Sequence, residues 1–221
     1  MIARLTGVTI HPAATFAEIA REPTFLAPWL LASLLFAVPM IAAVQRIGPA
    51  RLFSTAASLA RLQPELADYP AEDLAAAIAL LFQIVVVFAP VVAIPTTAVC
   101  LMPFARGASA RQLIAVAAWA ALPPAVGMGL TAMLVLVFRD PARLSLESLA
   151  PLNLGVLIPA SFSRVAHNLA ATLEFFSAWS VYLLSEGIAA ATGMGLRRAL
   201  LVLALPLLIL AWLIAGAAAM L

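Results

Sequence analysis

One stretch of this chain gathers most of the side chains that could do chemistry: Arg164, His167, Asn168, Glu174, Trp179, Tyr182 and Glu186. At about 100° per residue, Arg164, Asn168, Phe175, Trp179, Tyr182 and Glu186 share a helix sector of about 60°, with His167 and Glu174 on one flank. His167 and Glu174, two turns apart, would then carry protons or hold a cation, since ionisable groups inside a membrane signal function by default. In the plainer reading both residues sit at the membrane boundary. The face is then a packing seam on which Asn168, Ser177 and Ser180 hydrogen-bond to other helices. The plainer reading is preferred, more strongly for Glu186 beside the Gly193–Arg198 turn. Of the two acids, Glu174 is expected to matter more, because His167 and Arg164 lie on neighbouring turns.

Other chemistries leave little trace. Gly-x-Ser-x-Gly, His-Glu-x-x-His and a phosphate-binding glycine loop with lysine are all absent. The two histidines, His11 and His167, lie far apart, and the single cysteine, Cys100, excludes an internal disulfide. Cys100 sits in an apolar run and reads as a buried, inert thiol. Glu65, Asp68, Glu72 and Asp73 lack the spacing of a calcium loop; Pro70, Glu72 and Asp73 fit the first turn of a helix instead. The expectation is a non-enzymatic protein with no catalytic residue, no metal and no cofactor.

The elements that position these residues follow from composition. The chain is 65% hydrophobic and 10% charged, whereas a soluble domain carries about 25% charged residues. Crossing a bilayer takes about 20 apolar residues, so charge-free gaps mark the spans. Four such gaps give spans near 25–45, 76–104, 112–138 and 199–220. The stretch 173–192 is read as another despite Glu174 and Glu186, which can sit towards the polar boundaries or face other helices. The prediction is an all-α, polytopic membrane protein of five spans forming a single embedded domain over residues 1–221. Prolines punctuate them: Pro39 in the first, Pro90, Pro95 and Pro103 in the second, Pro123 and Pro124 in the third, Pro206 in the fifth. Each removes a backbone donor, which is tolerated where neighbours satisfy the freed carbonyl.

Two short amphipathic helices are expected at the interface. One covers 11–21, with Phe16, Ile19 and Ala20 on one face against the headgroups. The other starts at Arg51 and sets Phe53 and Leu59 against Arg61 and its polar neighbours. A net charge of +2 is too small to imply nucleic acid. All twelve basic residues are arginine, divided six and six between the two sides. The six on the N-terminal side fall in the shorter connections, which favours a cytoplasmic N-terminus.

Three stretches together resemble the Yip family, membrane proteins named for interacting with Ypt/Rab GTPases, and specifically its bacterial branch. The first is His11-Pro12 with Phe16, Ile19 and Pro23. The second is Ser109-Ala110-Arg111-Gln112, followed by Ala118-Trp119-Ala120-Ala121-Leu122-Pro123. The third is Phe176 to Leu184 with Trp179, then Gly187 and Arg197-Arg198-Ala199. The resemblance implies five spans and a cytoplasmic N-terminus, here in a bacterial cytoplasmic membrane. The acidic Asp-Leu-Tyr-Gly-Pro element and the long N-terminal tail of eukaryotic members are missing, so GTPase binding is not carried over. The expected role is a membrane scaffold or adaptor. The alternative is a small transporter, channel or lipid-moving protein using the polar face of the fourth helix. Membrane lipids are the implied partners, with other membrane proteins or a second copy of the chain left open.

Overall fold

The computed structural model describes residues 2–47, 70–138, 166 and 174–220. Every regular element among them is an α-helix: α1 Ile2–Ile10, α2 Pro12–Arg21, α3 Leu26–Ile47, α4 Ala71–Leu101, α5 Ala110–Ala120, α6 Leu122–Phe138, α7 Phe175–Thr192 and α8 Leu196–Met220. The amphipathic helix expected at Arg51, Phe53, Leu59 and Arg61 lies outside the described residues, as do Arg164, His167 and Asn168.

The helix ends follow from local chemistry. Pro12 opens α2 at a position where the missing N–H would have no helical partner. Pro70 precedes α4, and Glu72 and Asp73 fall in its first turn, as expected for acids at the positive end of a helix. Gly193 ends α7 at φ 72°, where its N–H donates to Ala189 O. Helix α4 stops at Leu101, so Pro103 lies in the following turn rather than in a span. The third expected span is interrupted at Ala121, between α5 and α6.

Two compact units are formed. The first comprises Met1–Ala32, Val92–Pro124 and Pro151–Leu221, and the second Ser33–Val91 and Ala125–Ala150. In the first, Ile94, Ala98 and Leu101 of α4 pack with Leu113, Ala117 and Ala118 of α5, Ile188 of α7, and Ala199 and Leu203 of α8. In the second, Met40 and Ala43 of α3, Val86 of α4 and Ala132 of α6 form the core. There Gly129 brings α6 so close to α3 that a Cβ would lie 2.8 Å from the Leu35 carbonyl oxygen.

Among the described residues, three helical segments are long and apolar enough to cross a membrane: Leu26–Ala43, Ala79–Leu101 and Ala110–Met133. Protein buries 61% of the third but only 22% of each of the others. On α3, Leu26, Leu30, Leu34 and Val38 form an outward stripe at four-residue spacing, each at least 60% exposed. So continuous an apolar surface is stable against lipid, not water. Cys100 is exposed on α4 rather than buried. Its apolar neighbours identify a helix hidden from water, and lipid does that as well as protein.

Candidate functional site

The face proposed along 164–186 does not run through as one helix. Glu174 has extended backbone (φ −109°, ψ 144°) and precedes α7, so the helical register linking Arg164 and His167 to the later residues is broken there. Glu174 makes no side-chain capping bond and is half-buried. Within α7 the face is real. Phe175 stacks on Trp179 at 6.4 Å, Trp179 meets Tyr182 at 5.5 Å, and the Tyr182 hydroxyl donates to Glu186 Oε1 at 2.8 Å. Glu186 is 8% exposed. Among the described residues Glu186 is buried and partnered, whereas the partners expected for Glu174, Arg164 and His167, lie outside them.

The remaining polar side chains here hold helices together. Ala120 would ordinarily accept from the N–H of residue 124, but that residue is Pro124. The Ser180 hydroxyl, from α7, donates to the Ala120 carbonyl instead at 2.7 Å. Trp119, fully buried, donates its indole N–H to Thr24 O at 2.9 Å, tying α5 to the segment between α2 and α3. Ser109 and Gln112 form a capping box at the start of α5, and Gln112 Nε2 also reaches Ala20 O at the end of α2, 2.7 Å away.

Helix α2 departs from the headgroup position expected of it. Phe16 and Ile19 are fully buried, and α2 packs on α5 and α7. Gly187 makes this approach possible, because a Cβ there would collide with both methyls of Val116 and press on Phe16. Helix α1 was not foreseen, and it is fixed by Arg4. Its guanidinium bonds to Glu18 Oε1, to Thr24 Oγ1 at 2.8 Å, and to both the carbonyl and the carboxylate of Glu22. Its partners lie 14 or more residues away, beyond any local sequence signal.

A family model described as the Yip1 domain matches residues 6–217. The chain belongs to the Yip1 family. No curated protein and no solved structure matches it. The stretches that carried the Yip1 resemblance coincide with the joints just described. His11-Pro12 starts α2, Ser109–Gln112 caps α5, Trp119 pins the entry segment, and Gly187 lets α2 and α5 close on α7.

A cleft of about 610 Å³ opens elsewhere in the same unit, between the turn after α4 and the turn joining α7 to α8. Arg106 and Arg198 line it, and neither Glu174 nor Glu186 does.

Proposed function

We propose that this Yip1-family membrane protein is a non-enzymatic scaffold or adaptor. Its five spans would form one domain in a bacterial cytoplasmic membrane, with the N-terminus on the cytoplasmic side. One observation carries the reading: Ser180, Tyr182 and Ser185 of α7 already have partners within the protein, while Ser177, expected to bond another helix, is exposed. Ser180 serves Ala120, Tyr182 serves Glu186, and Ser185 serves Val181 O at 2.8 Å. The Ser180 bond joins two helices, and the other two keep polar groups satisfied within α7. A solute path would need them turned towards water.

A buried carboxylate in an apolar helix supports one rival, a transporter centred on Glu186. Two measurements separate the readings: purification of the tagged chain from native membranes in mild detergent, and ion flux in liposomes containing the pure protein. A scaffold gives a stable membrane-protein partner in fixed ratio and no flux above empty liposomes. Flux that disappears in Glu186→Gln while the fold persists would overturn the scaffold reading.

A further inference from the structure

We infer that the cleft between the α4–α5 and α7–α8 turns binds a phosphate-bearing anion, at the level where the helices leave the apolar layer. Arg106 comes from the turn after α4 and Arg198 from the first turn of α8, and both line the same space with Thr192 and Gly193. Residues 101–112 and 192–199 carry Arg106, Arg111, Arg197 and Arg198 and no acid. The acids that α2 brings into this unit, Glu18 and Glu22, are engaged by Arg4. Among the described residues, no carboxylate lies within ion-pair distance of Arg106 or Arg198. Two arginines lining one cavity suit a tetrahedral anion, because each guanidinium can offer a fork of N–H donors to its oxygens.

The walls indicate what the phosphate is attached to. Phe104, Met194 and Val202 complete the cleft, and Val99, Met102 and Phe104 leave a large exposed apolar surface on the α4 side. Phe104 belongs both to the cleft and to that apolar surface, an arrangement that fits a lipid headgroup whose acyl chains continue along α4. A free phosphate would satisfy the arginines equally and leave that surface unused. This inference does not depend on the scaffold reading, since a transporter could carry the same site.

Binding is measured on the purified chain in neutral detergent, using short-chain phosphatidic acid, short-chain phosphatidylcholine and inorganic phosphate as separate probes. The parent should bind phosphatidic acid, and Arg106→Gln and Arg198→Gln should each weaken it at least tenfold. Arg111→Gln and Arg197→Gln remove the same charge from residues outside the cleft lining and should stay within twofold. Inorganic phosphate competing at the same concentration as the lipid would support the anion site and make the free ion its ligand. Competition by the lipid alone identifies the headgroup. Equal losses in all four variants, or binding of phosphatidylcholine as tight as phosphatidic acid, overturn the site in favour of diffuse surface charge or of apolar adsorption. The four arginines are exposed, so an unchanged melting temperature is expected and checks that the variants fold.

Discussion

Ser180 and Pro124 make a pair that neither residue announces alone. Pro124 removes the donor that Ala120 O would have used, and Ser180 restores one from another helix. Ser180→Ala should therefore destabilise the protein by about 0.5–1.5 kcal/mol, the range for hydrogen bonds between membrane helices. In a Pro124→Ala background, where residue 124 again has an N–H, the same change should cost less. Thermal unfolding of the four variants in detergent gives the coupling, and purely additive effects would remove the compensation argument. At Glu186, replacement by Ala strands the Tyr182 hydroxyl and should cost about 1–3 kcal/mol. Glu186→Gln keeps an acceptor and should recover most of that. Glu174→Ala, at a half-buried position without a capping bond, should stay within about 0.5 kcal/mol. A larger loss at Glu174 than at Glu186 would show that the melting protein does not have this α7.

Among the elements, α2, α5 and α7 depend on one another through Gly187. Gly187→Ala should destabilise by about 1–3 kcal/mol, the usual cost of overpacking, with the helix propensity of alanine recovering under 1 kcal/mol. Gly195→Ala is the matched control. Its Cβ would meet nothing within 4 Å, and a change of no more than about 0.5 kcal/mol is expected. Comparable melting losses in the two variants would mean that the close approach at Gly187 is not what joins the helices. Apolar runs made the long helices legible in the sequence, as did caps such as Pro12 and Gly193. The break at Ala121 was less so, because paired prolines inside an apolar run fit a kinked span and a divided one alike. Helix α1 was invisible: Gly7 and five β-branched residues dilute its helical propensity, and Arg4 fixes it through distant partners. The polar face was half legible. Periodicity placed Trp179, Tyr182 and Glu186 correctly within α7, but no periodicity marks the residue at which a register ends.

At the scale of the whole molecule, the orientation set by arginine density can be tested directly. After Cys100→Ala, a cysteine at Ser109 should react with an impermeant thiol reagent only from the cytoplasmic side, and one at Ser58 only from outside. The reverse pattern would invert the topology and place the basic cleft on the outer leaflet. The burial of Phe16 against the Gly187 region also sets a timetable. The two positions lie roughly 170 residues apart, so a ribosome adding about 5–20 residues per second makes α7 some 10–35 s after α2. Through that interval α2 waits without α7, its aromatic and aliphatic face still uncovered on that side. The membrane surface is the nearest apolar refuge for a nascent segment of this kind.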